Sequence, residues 1–233
     1  MSLYAGDNVP RAVLRASSGL LGVTYVAFDG SWLQRDSLAW PSSSFTFAEP
    51  AGLAATEAGL LYVADAQRHR LYRVEASGVL STFAGTEQQG HADGLPGRAM
   101  FSAPHGLVWV PNRGLYVADR DNHCLRLIKT GAGSEEVSTF VGSPGTSGSQ
   151  DGKGRAALFD KPHGVAADTA GNLYVTDTNN KRVCRVTPDG TVTTISKVDQ
   201  FEVPVGIAVE PDGSKVYVAD RNTHCIHVLT RVP

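Results

Sequence analysis

Short segments in which apolar, aromatic or β-branched residues alternate with polar ones follow one another along the whole chain. No long stretch has apolar residues at the 3.6-residue period of an amphipathic helix. The clearest segment is Leu-Tyr-Val-Thr-Asp at residues 173–177. It recurs at residues 61–65, 115–119 and 216–220, with a degenerate copy at residues 24–28. This self-similarity indicates a repeat architecture built from strands.

The fourth copy shows the complete unit as four short strand-forming runs, at residues 163–167, 173–176, 183–186 and 191–195. Gly, Asn and Asp separate these runs and act as hairpin signals, so the unit is an antiparallel meander. Such sheets stack around an axis in a β-propeller, because a single blade would leave its apolar faces exposed. The sequence therefore predicts an all-β fold, a five-bladed β-propeller of four-stranded antiparallel blades, in one domain over residues 1–233.

The two ends of the chain predict how this ring closes. The last unit stops after its third strand, at residues 225–229, and residues 2–6 resemble the fourth strands of other units. We therefore expect residues 2–6 to complete the last blade, which would remove an exposed sheet edge. The first unit is the least regular, because Phe28 replaces the recurrent Asp; its third and fourth strands are expected at residues 31–35 and 44–47.

The amino-acid composition limits the classes of function that this chain can have. Hydrophobic residues make up 42% of the 233 residues, charged residues 19%, and the formal net charge is −2. This balance suits a globular core and gives no bulk attraction to nucleic acid or anionic membrane. No apolar run is long enough to span a bilayer, and the first residues do not resemble a secretory signal. The three cysteines predict buried thiols without disulfides. We expect a monomer without membrane association in the cytoplasm or another intracellular compartment.

The repeat units resemble NHL repeats. The resemblance lies in the Pro-His-Gly-Leu and Pro-His-Gly-Val motifs at residues 104–107 and 162–165, the Leu-Tyr-Val-Ala-Asp strand, the Arg-containing third strand and the Ser-Thr-Phe-Ala-Gly fourth strand. It covers nearly the whole chain and implies a β-propeller. NHL-like propellers include protein-binding scaffolds, RNA-binding modules, sugar lactonases and an amidating lyase, so the resemblance leaves the function open.

Long loops predict where a partner binds. Residues 85–104 and 142–162 connect blades on the face that also carries the turns between second and third strands, and binding groups collect on such loops. We expect a protein-binding surface there, with these candidate residues: Arg98, His105, Arg120, Arg155 and His163. The loops are expected to be fixed by ion pairs of Asp93 with Arg98 and of Asp151 with Arg155.

The aspartate at the end of each second strand recurs in four units, at positions 65, 119, 177 and 220. A residue that every blade requires serves the blade, here by accepting hydrogen bonds from turn N–H groups. We therefore assign these aspartates a structural role and name no catalytic or metal-ligating residue.

Two alternatives remain open beside a non-catalytic protein-interaction scaffold. His105 and His163 occupy equivalent positions in neighbouring units and would bind zinc, or support a calcium-dependent or zinc-dependent lyase or lactonase, if further ligands reached them. Arginines and lysines on the same face would contact RNA phosphates, although acidic residues dilute them. The scaffold interpretation needs no cofactor and is the one that the sequence favours.

Overall fold

All pairs of named strands are antiparallel, as the hairpin signals predict. The computed structural model describes the strands at residues 11–17, 20–26 and 32–34 by their backbone. It describes residues 47–77, 79–130, 135–197 and 199–231 with their side chains. In the described part of the chain, no helix is both long enough and apolar enough to cross a membrane.

The chain begins with a three-stranded N-terminal sheet made of β1 (Arg11–Ser17), β2 (Leu20–Val26) and β3 (Trp32–Gln34). Strand β3 lies within the segment where the sequence predicts a third strand. The strand expected at residues 44–47 falls mostly outside the described residues, and so do residues 2–6 with the ring closure assigned to them.

Four blades with described side chains follow, and we name them A to D. Blade A contains β4 (Pro50–Ala55), β5 (Leu61–Asp65), β6 (Arg70–Val74) and β7 (Leu80–Ala84). Blade B contains β8 (Pro104–Val110), β9 (Gly114–Asp119), β10 (Cys124–Lys129) and β11 (Glu136–Val141).

Blade C adds a short strand to the unit. It contains β12 (Gly152–Lys153), β13 (Pro162–Ala167), β14 (Leu173–Asp177), β15 (Arg182–Val186) and β16 (Thr191–Thr194), with β12 paired to β16 at the outer edge. Blade D has three strands, β17 (Pro204–Val209), β18 (Lys215–Asp220) and β19 (Cys225–Thr230). Three-residue 3₁₀ helices lie at Arg120–Asn122, Gly154–Ala156 and Thr178–Asn180.

The fold is thus an all-β propeller of antiparallel sheets, but its units are less regular than the sequence predicts. The prediction of five four-stranded blades is corrected to four blades, preceded by a three-stranded sheet. In the sequence of this first unit, Phe28 stands where the other four units have the recurrent aspartate.

The second strand of blades A, B and C is buried along its whole length, on both faces. Blades A and C pack on the two faces of blade B, and blades B and D pack on those of blade C, which buries their second strands from both sides. One hydrophobic cluster joins blade A to blade B, and another joins blade B to blade C. The fold therefore gains its stability mainly between blades.

Blade D differs, because no described blade covers its second face. Ile226 and Val228 are 72% and 50% exposed, and Cys225 is exposed as well. The prediction of three buried thiols is therefore correct for Cys124 and Cys184 and wrong for Cys225. Cys124 lies against Gly142, just after the fourth strand of its own blade, whereas blade D has no fourth strand among the described residues.

Glycines fix the distance between the first strands of neighbouring blades. A Cβ at Gly106 would lie 2.5 Å from the carbonyl oxygen of His163 and 2.8 Å from the backbone nitrogen of Val165. Gly52 and Gly164 face the backbone of the next blade in the same way. Only glycine permits this approach of two backbones, and the central strands converge as a result.

Each of blades B and C encloses a buried arginine that ties a long loop to the blade. In blade B the Arg126 guanidinium donates to Asp119 at 2.8 Å, to Asp93 at 2.7 Å and to the carbonyl oxygens of Met100 and Ala92. Its side chain has no exposed surface. Charge-assisted bonds to two carboxylates compensate the loss of hydration.

Blade C repeats this arrangement with Arg182. Its guanidinium donates to Asp177 at 2.8 Å and to Asp151 at 3.0 Å, and also to the carbonyl oxygens of Ser149 and Leu158. Asp93 and Asp151 therefore fix their loops through ion pairs, as predicted. The predicted pairing of Asp93 with Arg98 and of Asp151 with Arg155 is wrong. The arginines that reach these acids come from the third strands, where they are buried between loop and sheet.

The recurrent aspartates also accept backbone hydrogen bonds. Asp65 accepts from the N–H groups of Ala48 and Glu49, and Asp220 accepts from those of Glu202 and Val203. In each blade this joins the end of the second strand to the segment that precedes the first strand. The structural role predicted for these aspartates is confirmed, but among the described residues the predicted turn N–H groups donate only to Asp65 and Asp220.

Replacing Gly106 by Ala should destabilise the protein by about 3 kcal/mol, because the added methyl overlaps backbone atoms that cannot move independently. Chemical denaturation should show a lower midpoint with an unchanged slope. Gly97→Ala is the matched control, since no atom lies within 4 Å of a Cβ placed there. Equal stability of the two variants would contradict the close approach.

Replacing Arg126 by Met should cost about 4 kcal/mol, because the buried Asp119 loses its cation and two loop carbonyls lose their donor. Thermal unfolding measures the effect. Arg98→Met, at an exposed position of the same loop, should change the stability by less than about 0.5 kcal/mol. Similar losses in both variants would show that Arg126 does not anchor the loop.

Candidate functional site

A cavity of about 870 Å³ lies at the end of the propeller where the first strands begin. Residues of all four blades line it, including Glu49 of the segment before blade A, Arg120 after β9, Lys181 after β14 and Arg221 after β18. This volume is within the usual range of ligand pockets, about 300–1,000 Å³. The cavity is the place where the propeller brings the most distant parts of its chain together.

Two adjacent imidazoles lie in the cavity wall. His105 and His163 each follow the first proline of an inner strand, and the glycine after each lets the two strands approach closely. Their ring centroids are 4.5 Å apart, with an angle of 58° between the planes. The Nδ1 atom of His105 is 2.8 Å from the carbonyl oxygen of Ala103, so Nδ1 carries the proton and donates. The Nε2 atom of His105 is then an acceptor.

Both imidazoles favour the neutral form. Burial lowers the pKa of His105 below its ordinary value. Burial also lowers the pKa of His163 to about 4, and the neighbouring His105, Arg120 and Arg221 act in the same direction. Neutral rings with an unprotonated nitrogen accept hydrogen bonds from a ligand's N–H or O–H groups.

Charges of both signs surround the histidines. The cations are Arg120, Lys181 and Arg221, and the carboxylates are Glu49, Asp121, Asp160 and Glu202. Arg120 donates to Asp121 at 2.7 Å, and Asn179 donates to Asp160 at 3.3 Å. The cavity therefore offers donors and acceptors close together and favours a polar ligand over a strongly charged one.

Further histidines hold the blades together around the cavity. His69 and His123 have left-handed backbone conformations, with φ of 54° and 57°. Their Nδ1 atoms accept from the N–H groups of Ala103 at 3.0 Å and Lys161 at 3.2 Å, each in the next blade. The sequence shows these histidines at one recurring turn position, which assigns them to the turn but does not reveal the contact between blades.

The structure brings together three of the five residues predicted for the site. His105, Arg120 and His163 line the cavity. Arg98 is exposed on a loop that reaches the outer strand of blade B, where Gly94 pairs with Val137. Arg155 is also exposed, and its guanidinium lies 3.7 Å from Asp93. The two long loops thus fold back along the outer edges of the blades instead of covering the cavity.

Sequence reasoning did not find the cavity residues Glu49, Gln67, Asn179 and Glu202. A signal was available, because Glu49, Asp160 and Glu202 all lie within two residues before the first proline of a unit. That position recurs in space, although its residue type varies from unit to unit.

A zinc or calcium site was one alternative from the sequence. Among the described residues, no group of three or more His, Cys, Asp or Glu side chains is arranged to hold a metal ion. His105 and His163 supply two imidazoles without a third ligand from the described residues, and protein zinc sites use three or four. The described donor set therefore does not fit the zinc centre that the lyase resemblance implies.

Comparison with known protein families agrees with the repeated blades of the structure. The profile of the NHL repeat matches residues 101–126, 159–186 and 201–229. These segments cover most of the strands of blades B, C and D. The predicted resemblance is confirmed, because these three segments match the NHL repeat.

Two curated relatives share part of this sequence. Protein SUPPRESSOR OF QUENCHING 1, chloroplastic, of Arabidopsis thaliana is 27% identical over 195 residues, which are 72% of this chain and 18% of the relative. NHL repeat-containing protein 2 of Gallus gallus is 31% identical over 177 residues, 65% of this chain and 24% of the relative. The chain thus spans about a fifth to a quarter of their length.

A solved structure shows the same fold. The crystal structure of a Bacteroides thetaiotaomicron protein of unknown function superposes with a TM-score of 0.71 at 18% identity, over 98% of this chain and 58% of that one. This likeness supports the propeller architecture alone.

Lowering the pH should destabilise the protein in part through His163. Its pKa is about 4 in the folded state and 6.5 in the unfolded chain, so the unfolded state binds more protons between these values. The contribution of His163 to the free energy of unfolding is fully present above pH 6.5. It falls by up to about 3 kcal/mol as the pH approaches 4. Denaturation of His163→Asn from pH 7 to 4 should show a shallower loss than the parent protein. His224→Asn, at an exposed position, is the control and should keep the parent slope.

Proposed function

Because this chain carries NHL repeats on a β-propeller, we propose that it is a non-catalytic protein-interaction scaffold whose central cavity receives a polar segment of a protein partner. One observation carries the proposal. Donors and acceptors from four blades, among them two neutral imidazoles, converge on one cavity of about 870 Å³. A protein segment, with its alternating N–H and C=O groups, complements such a surface.

His105, Arg120 and His163 form the central part of the proposed surface. The two imidazoles accept hydrogen bonds from the partner, and Arg120 donates to its carbonyl or carboxylate oxygens. Arg98 and Arg155, the other two residues predicted for binding, lie on the long loops at the outer edges of the blades and outside this surface. The frame around the histidines is held by bonds between blades, so binding needs little rearrangement.

Charge reversal within the cavity tests the proposal. A variant with Arg120→Glu and Arg221→Glu should retain captured partner at least about tenfold less than the parent protein, because buried polar contacts are lost and repulsion is added. The measurement is quantitative photo-crosslinking from a probe residue placed at position 67, with partners identified by mass spectrometry.

The matched control carries Arg98→Glu and Arg155→Glu, which make the same charge change outside the cavity. It should reduce capture by less than about threefold, as expected for peripheral charges. Capture that is unchanged by the cavity variant would refute the proposal. Capture of RNA with a steep salt dependence would favour a nucleic-acid-binding module instead.

A further inference from the structure

The last strand of blade D has an open edge. In blades A, B and C the third strand pairs with a fourth strand, as β6 does with β7, β10 with β11 and β15 with β16. In the part of the chain that the structure describes, β19 pairs with β18 alone. An open edge presents free backbone N–H and C=O groups to any extended segment that fits beside it. We call this edge of β19 the acceptor edge.

The side chains at the acceptor edge are exposed where the equivalent side chains of blade B are buried. Ile226 is 72% exposed, whereas Leu125, at the same place in β10, has no exposed surface. Cys225 is likewise exposed, and its equivalent Cys124 is fully buried. The acceptor edge therefore combines free backbone groups with apolar side chains that a further strand and the segment after it cover in blade B.

Residues 2–6 have the sequence that fills this place in two other blades. They read Ser-Leu-Tyr-Ala-Gly, compared with Ser-Thr-Phe-Ala-Gly at residues 81–85 and Ser-Thr-Phe-Val-Gly at residues 138–142. Four features agree: the first serine, an aromatic third residue, a small or β-branched fourth residue and a final glycine. In blades A and B this segment forms the fourth strand, and its glycine follows the strand directly.

The final glycine is the most specific of these features. A Cβ at Gly85 would lie 3.0 Å from the Cα of Arg70, and a Cβ at Gly142 would lie 2.8 Å from the Cα of Cys124. Both glycines also have positive φ, of 103° and 94°. Only glycine combines this backbone with so close a contact. In blade D the third-strand residue at this position is Cys225, which therefore requires a glycine beside it.

The aromatic residue of the segment has a defined contact as well. In blades A and B it packs on the tyrosine of the second strand, with ring centroids 4.7 and 5.1 Å apart. Blade D has Tyr217 at this place, and its hydroxyl donates to Glu210 at 2.8 Å. The ring of Tyr4 would complete the same aromatic pair, which adds to the stabilisation from buried area.

We propose that residues 2–6 of this chain bind along the acceptor edge as the fourth strand of blade D. Gly6 lies against Cys225 and covers its thiol, and Tyr4 packs on Tyr217. The segment directly precedes β1, which contacts β4 of blade A. A strand of the same chain thus joins the last blade to the sheet beside the first. This site is separate from the central cavity and does not depend on the function proposed for it.

The pairing in blade B gives the register of the bound segment. There the first and fourth residues of the segment lie opposite the fourth and second residues of β10. The same pairing in blade D places Ser2 opposite Val228 and Ala5 opposite Ile226. A shift by one residue would turn every side chain of the segment to the other face and would move the glycine away from Cys225.

Alkylation of Cys225 by iodoacetamide in the native full chain tests the covering of the thiol, with the label located by mass spectrometry. Gly6→Val should raise the rate of alkylation at least about tenfold, because a β-branched side chain cannot take the glycine's place beside the strand. Asn8→Val lies two residues beyond the segment and should keep the parent rate. Equal rates in the parent protein and in Gly6→Val would contradict the proposal.

Disulfide trapping in the full chain, with Cys225→Ser to remove the native thiol, tests the register. Two matched double variants are Ser2→Cys with Val228→Cys and Ala5→Cys with Ile226→Cys. Each should form a disulfide within one chain in at least about half of the molecules on mild oxidation, because opposed residues of paired strands lie within disulfide distance. The changed positions in β19 are exposed, so these variants should fold.

A mismatched pair is the control for this trapping. Leu3→Cys with Val228→Cys places the two thiols on opposite faces of the sheet and should form at least about tenfold less disulfide. Disulfides between two chains would show that a second copy supplies the strand and would overturn the proposal. Folded variants without a disulfide at either matched pair would overturn it as well.

Discussion

The structure depends on buried carboxylates that hold the segments between blades. Asp119 and Asp177 have no exposed surface, and each accepts a hydrogen bond from a backbone N–H just before the first strand of its own blade and from a buried arginine. The arginine in turn holds a loop acid and two loop carbonyls. A buried charge needs bonded partners to compensate the loss of hydration, so each arginine ties its loop to the blade through several hydrogen bonds at once.

This constraint determines what the central cavity can do. Because the loops are tied to the outer edges of blades B and C, they leave the cavity open, and its wall consists of strand ends and short turns. Glycines between the inner strands set the spacing of His105 and His163, and burial then favours their neutral forms. The cavity is rigid, polar and balanced in charge, which suits recognition of a hydrogen-bonding segment.

The proposed binding surface arises where the units depart from their common pattern. The cavity gains its imidazoles because blades B and C have histidine where blades A and D have Ala51 and Val205. In a repeat fold the shared residues form the frame, and differences between units give each surface its chemistry.

The sequence by itself determined the strand order within each unit, the antiparallel pairing, the structural role of the recurrent aspartates and the equivalence of His105 and His163. These features follow from short-range alternation and turn chemistry, which act within one unit. Tertiary structure decided the partners of Asp93 and Asp151, the course of the long loops and the exposure of Cys225. Arg126 lies seven residues beyond Asp119, but Arg182 lies five beyond Asp177, and both fill the same position in their clusters. Such equivalence depends on side-chain reach and on packing between blades, which local sequence patterns do not specify.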